Sequence, residues 1–240
     1  CDRDSSDLTR VFCASTLAHL TANPHIDTSA AIPTLVHMLS TECSENIKVD
    51  SAAALYNLAV SNESCKEMLS AGALLPIISL TKSDHLDTKI RCAAILSRLT
   101  GYKEYHDLMT KDDLKRLLEL STIDLMETQR RVVITLSNLS ENETIRSMLL
   151  EIPETCDAMK LLISRPDDMI RSGVSSILCN LSAEGSEMEI VSAGVVPTLL
   201  VTALLSSDKM ACKIVCTKAL INLMAEPTCW ESMVKGGLIW

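Results

Sequence analysis

Leu55-Tyr56-Asn57-Leu58, Leu136-Ser137-Asn138-Leu139, Leu178-Cys179-Asn180-Leu181 and Leu220-Ile221-Asn222-Leu223 each close an alanine- or valine-rich apolar run. Two looser copies, Leu17-Ala18-His19-Leu20 and Leu96-Ser97-Arg98-Leu99, close runs of the same kind. The six first leucines lie 38 to 42 residues apart, so the chain is a repeat. A period of about 40 residues suits stacked helical units, because one unit cannot bury its apolar faces alone and must share a core with its neighbours.

The unit is clearest after Leu58. Asn62-Glu63-Ser64-Cys65-Lys66-Glu67-Met68-Leu69 reads as a short helix, Ala71-Gly72-Ala73 as a sharp bend, Leu74 to Leu80 as a second helix and Thr88 to Leu99 as a third. Gly72 can take the positive φ that an abrupt turn between helices requires. Pro76 falls in the first turn of its helix, where a missing N–H is tolerated. The bend recurs at Ala193-Gly194-Val195-Val196-Pro197 and in part at Lys235-Gly236-Gly237-Leu238. At Thr110-Lys111-Asp112-Asp113-Leu114 and Ile152-Pro153-Glu154-Thr155 the glycine is missing, and Asp, Pro or Thr chemistry is expected to turn those corners.

The first unit is incomplete. Residues 8–21 read as a third helix without the two shorter ones, Asn23-Pro24 breaks it, and Ile32-Pro33 opens the apolar run that ends at Leu39. A polar loop from Ser40 to Asn46 then leads into the helix ending at Leu58. The expected organisation is one array over 1–240, with a lone third helix at 8–23, repeats at about 24–61, 62–102, 103–140, 141–182 and 183–224, and a partial unit at 225–240. Further repeats or domains of the same chain are expected at both ends, since an uncapped array exposes an apolar face.

Composition agrees with a shared core. Hydrophobic residues make up 47% of the chain and aromatics only 2%, so helix contacts are built from Leu, Ile, Val, Ala, Met and Cys. A net charge of −9 and a pI near 5.1 oppose nucleic-acid binding, which uses a basic surface to displace counterions, and oppose attachment to anionic lipid. No apolar run reaches transmembrane length, so no membrane insertion is expected. The ten cysteines are scattered and form no Cys-x-x-Cys pair. Cys13, Cys92 and Cys216 stand four residues before a repeat's first leucine, where other copies have Ser51, Val132 and Val174; this is expected to be a small buried slot. A reducing setting follows, cytoplasmic or nuclear.

The run Ala71-Gly72-Ala73-Leu74-Leu75-Pro76, followed in phase by a helix ending Leu-x-Asn-Leu, resembles the armadillo repeat over almost the whole chain. HEAT repeats share the size but not the asparagine. The resemblance implies an all-α fold: a right-handed α-solenoid of three-helix repeats, stacked into a superhelix whose third helices line a concave groove. It also implies that Asn57, Asn138, Asn180 and Asn222 face the groove and hold the backbone of an extended peptide. A carboxamide offers the donor and acceptor for that task. The alternative is that these asparagines bridge neighbouring helices. His19 and Arg98 depart from the pattern.

Nuclear-import receptors of that family carry a tryptophan four residues before the asparagine. Here those places hold Ser15, Ala53, Ala94, Ile134, Ser176 and Lys218, so the slots for a basic import signal are missing. Seven residues before the asparagine position stand Phe12, Asp50, Arg91, Arg131, Gly173 and Val215. Arg91, Arg98 and Arg131 are therefore expected to form a local basic patch in the groove, suited to an acidic or phosphorylated extended segment of a partner protein. Pairing with nearby acids is the competing reading.

No catalytic or cofactor signature is present. The five histidines, His19, His25, His37, His85 and His106, have no ligand spacing, and Cys212 with Cys216 supplies only two ligands. The few glycines serve helix corners rather than phosphate loops. Acidic stretches such as Glu141-Asn142-Glu143 fall at starts of first helices, where carboxylates complement the helix dipole. The expected function is a non-enzymatic scaffold or adaptor that uses no cofactor. An assembly or docking subunit of a cytoskeletal or axonemal complex, and the regulatory arm of a longer enzyme, are alternatives; an import receptor ranks below them.

Overall fold

The computed structural model describes residues 2–23, 25–40, 43–182 and 210–224, with the single positions 227, 230 and 234. Every regular element among them is helical. Packing divides the chain into two compact units, Cys1–Leu108 and Met109–Trp240, where the repeat pattern alone suggests one array. The division falls within the repeat assigned to 103–140, after its first short helix.

In the first unit α1 (Asp2–Thr21) packs on α3 (Glu45–Leu58), and α3 packs on α6 (Leu86–Leu99). These are the third helices of consecutive repeats. Against them lie the shorter α2 (Ile32–Ser40), α4 (Asn62–Ser70) and α5 (Leu74–Leu80). Three helix starts differ from the sequence reading. α3 starts at Glu45, inside the loop expected to run to Asn46. α1 starts at Asp2 rather than residue 8, its acidic first turns suiting a helix N-terminus, and α6 starts at Leu86 rather than Thr88. The first helix of two repeats shrinks to a 3-10 turn, at Ser29–Ala31 and at Lys103–Leu108.

Gly72 has φ of +79°, and among the described residues no non-glycine has a positive φ. Its left-handed backbone lets α4 end and α5 begin after only three residues. Each third helix buries leucine and small residues together: on α6, Cys92, Ala93, Ile95, Leu96 and Leu99 are all at or below 1% exposure. The small slot four residues before the first leucine is buried at Ser51, Cys92, Val132, Val174 and Cys216. Cys13 is the exception. It is exposed on α1, a helix whose packing partner is α3. Burial pushes the Cys92 thiol up to about 12, which makes it a packing residue and not a nucleophile.

In the second unit the third helices are α8 (Met126–Leu139), α11 (Asp168–Leu181) and α12 (Met210–Met224), packed in that order. α7 (Lys111–Leu120), α9 (Glu143–Leu150) and α10 (Glu154–Ile163) are the shorter helices. The two corners without glycine turn as their residues suggest. Thr110 and Asp113 form a reciprocal capping box at the start of α7. Thr155 Oγ1 donates to the Leu149 carbonyl at 2.7 Å, tying the first turn of α10 to the end of α9. Asn142 caps α9 by accepting from the Ile145 N–H at 3.2 Å. The bends at Gly194 and Gly236 lie outside the described residues.

Candidate functional site

The solvent-facing strip of each third helix runs through the positions that the repeat spacing singled out. On α6 the partly exposed residues are Lys89, Ile90, Arg91 and Ala94 and the exposed ones Leu86, Asp87 and Arg98, while the other positions are buried. α3 presents Asp50, Ala53 and Asn57, and α8 presents Glu127, Arg131, Ile134 and Asn138. Ser176 and Asn180 are half-buried on α11. Small or aliphatic side chains at 53, 94, 134 and 176 leave this face without aromatic slots.

The residues at the asparagine position reach back to the preceding third helix. Asn57 Nδ2 donates to the Ala18 carbonyl at 3.3 Å and to Thr21 Oγ1 at 3.2 Å. Asn180 Nδ2 donates to Ser140 Oγ at 2.9 Å. Arg98, the odd member, does the same work by another route, since its Nη1 donates to the carbonyls of Ala59 and Val60 at 2.7 and 3.0 Å. The difference has a cause in the acceptor. Thr21 and Ser140 stand four residues after the first leucine of their repeats and offer a hydroxyl; Ala59 stands at that place and offers none. A longer side chain then reaches the backbone at the helix end, where free carbonyls are available. These bonds are the bridging alternative of the sequence reading, and the signal it lacked was the hydroxyl at that place. Asn138 is half-buried on the same strip of α8. Asn222 belongs to α12, and its side chain lies outside the described residues.

The three arginines meet different surroundings. Arg131 lies on α8 with Nη2 2.7 Å and Nε 2.8 Å from Glu127 Oε1, one turn earlier on the same helix. Arg91, two turns before Arg98 on α6, is half-buried and makes neither ion pair nor hydrogen bond with any described residue. The carboxylate one turn before it is Asp87, and the two make no ion pair. Arg91 and Arg98 share one compact unit and Arg131 belongs to the other.

Two contacts that the sequence did not reveal shape the α8–α11 pair. A Cβ built on Gly173 would collide with Val133 Cγ1, so the two helices approach closely only because residue 173 is glycine. Arg130 donates through Nη2 and Nε to Asp167 Oδ2 at 2.6 and 3.0 Å, while Asp167 Oδ1 caps α11 by accepting from the Ile170 N–H at 2.9 Å. The Arg130 hydrogen bond holds the Asp167 carboxyl below its ordinary pKa against the opposing effect of burial.

No family model matches the sequence, and no curated protein matches it. Solved structures do. The designed armadillo repeat protein YIII(Dq)4CqI is 18% identical, with 89% of this chain aligned to 92% of that one at a TM-score of 0.70. The fold is an all-α armadillo solenoid. A structure described as computationally designed armadillo repeat proteins for modular peptide recognition is 18% identical over 87% of this chain and 91% of that one, at a TM-score of 0.69. The designed armadillo repeat protein YIII(Dq.V1)4CPAF, solved in complex with the peptide (KR)4, is 17% identical over 89% and 91%, at a TM-score of 0.66. In this chain the strip on the third helices combines helix-bridging amides with a guanidinium that has no ion-pair partner among the described residues. Among the described residues no group of His, Cys, Asp or Glu could hold a metal ion, and no helix is long and apolar enough to cross a membrane.

Proposed function

We propose that this protein is a non-enzymatic scaffold or adaptor that binds an extended acidic segment of a partner protein along the solvent-facing strip of its third helices. The armadillo fold commonly mediates protein binding, and its designed members include peptide-recognition modules. The observation that carries the acidic preference is Arg91. Its guanidinium is held on the strip of α6 without an acid partner among the described residues, whereas Arg116, Arg130, Arg131 and Arg165 are each matched by a carboxylate. A planar fork of donors suits a carboxylate or a phosphate. The free edge of Arg98 and the carboxamide oxygen of Asn57 lie on the same strips and would position the segment's backbone. Arg131, on the other compact unit, is engaged by Glu127 and is not counted with this site. A cytoplasmic setting goes with this reading, in keeping with thiols such as Cys92 that serve packing.

The designed armadillo repeat protein solved in complex with (KR)4 supplies the contrast for a test. Fluorescence anisotropy should show an alternating Asp-Glu octapeptide binding this chain more tightly than (KR)4. Arg91→Glu should weaken the acidic peptide by roughly tenfold, and raising the salt should weaken it further. Equal affinity for both peptides, or an unchanged acidic affinity in the variant, refutes the proposal.

A further inference from the structure

A second surface lies on other helices. α7 and α10 are second helices of consecutive repeats and pack on each other within one compact unit. Between them is an open cavity of about 320 Å³. Its walls are matching faces, Lys115, Leu118 and Glu119 of α7 with Thr122 just past its end, and Glu154, Asp157, Ala158 and Leu161 of α10, each set spaced i, i+3, i+4 and i+7. Leu118 and Ala158 are buried and Leu161 is half-buried, so the floor is apolar. The rim is acidic. Glu119 and Glu154 are exposed and make no ion pair with any described residue, while Asp157 is paired with Lys160 at 3.0 Å and the single lining cation is Lys115.

We propose that this cleft docks a basic amphipathic segment of a partner protein, distinct in chemistry and position from the acidic segment assigned to the third helices. One large apolar side chain of the partner covers Leu118, Ala158 and Leu161, and flanking Lys or Arg residues meet Glu119 and Glu154. The size argues for a side chain rather than a cofactor, because the volume sits at the lower end, about 300 Å³, of small-molecule pockets. Matched helical ridges with a groove between them are the geometry that receives an amphipathic helix or a short turn. Two unneutralised carboxylates beside an apolar floor select against acidic competitors and favour cationic ones.

The test is a peptide-display selection on the whole chain, followed by anisotropy titration of the enriched peptides. The expected winners carry a Leu, Met or aromatic residue within one helical turn of Lys or Arg. They should lose about tenfold in affinity to the Glu119→Lys, Glu154→Lys double variant and to Ala158→Trp, which fills the cavity, and should be unaffected by Arg91→Glu. The charge variant alters only exposed side chains, so it decides the matter if the tryptophan variant fails to fold. Absence of enrichment, enrichment of acidic or uncharged peptides, or binding that survives the double variant overturns the proposal.

Discussion

The α3–α6 pair of the first compact unit and the α8–α11 pair of the second are the same element of the repeat, fastened differently. Between α8 and α11 lie a glycine against Val133, an Arg130–Asp167 ion pair with an oxygen at 2.6 Å and an Asn180–Ser140 bond of 2.9 Å. Between α3 and α6 the Arg98 side chain donates to the carbonyls of Ala59 and Val60, just past the end of α3. The surface charge differs as well, since Glu127 neutralises Arg131 on α8 while Arg91 on α6 keeps its charge unpaired. A repeat array can thus use one helix pair for cohesion and leave another with a cation on offer, without altering the fold.

The largest effect should come from breaking the close approach. Gly173→Ala places a methyl group into Val133, which is 1% exposed and cannot move aside, so overpacking of roughly 1–3 kcal/mol outweighs the helix propensity gained. Denaturant unfolding should show the loss, and Val133→Ala in the same chain should recover much of it. If the two changes simply add, the contact is not what sets the helix spacing.

Next in size is the tie in the first unit. Arg98→Asn shortens the side chain opposite Ala59, where no hydroxyl waits, and should cost about 1 kcal/mol. Adding Ala59→Ser restores the arrangement seen at Asn180 and Ser140 and should return most of the stability. A double variant no better than the single one would mean that acceptor chemistry does not explain the arginine.

The Arg130–Asp167 pair adds a pH dependence to the second unit. Asp167 has a folded pKa below its ordinary value of 3.8, so its contribution is complete above that value and disappears as the pH falls through the depressed one. Asp167→Asn keeps the cap but loses the charge. Melting temperatures should separate wild type from variant near neutrality and converge under acid; a constant gap would remove the ion pair as the cause.

The repeat, its three-helix grammar and its corners could be read from the sequence because they depend on local chemistry: apolar spacing, a glycine with φ of +79° at residue 72, and a capping pair at Thr110 and Asp113. The solvent-facing strip was legible for the same reason, since the positions at −7, −4 and 0 follow helical periodicity. What could not be read was partnership. Whether Arg98 faces a ligand or the end of α3 depends on Ala59, 39 residues away in sequence, and whether residue 173 is an empty groove position or a contact depends on Val133. Cys13 misled because a repeat position implies burial only where a neighbour covers that side of the helix.

The smallest expected change in stability tests the comparison most directly. Asp87 and Glu127 occupy the second position of α6 and α8, four residues before Arg91 and Arg131, and only the longer acid makes the ion pair. Asp87→Glu should close the corresponding pair on α6, stabilising the protein by about 0.2–0.5 kcal/mol, the usual value for such a pair on a helix surface. The same substitution should weaken an acidic peptide several-fold, because Arg91 would have to release its new partner first. Glu127→Asp should do the reverse and free Arg131. Stability and affinity would then move in opposite directions, which a merely structural role for Arg91 does not produce. If Asp87→Glu leaves peptide affinity unchanged, the unpaired arginine is a surface charge with no recognition role, and the two helix pairs differ in cohesion alone.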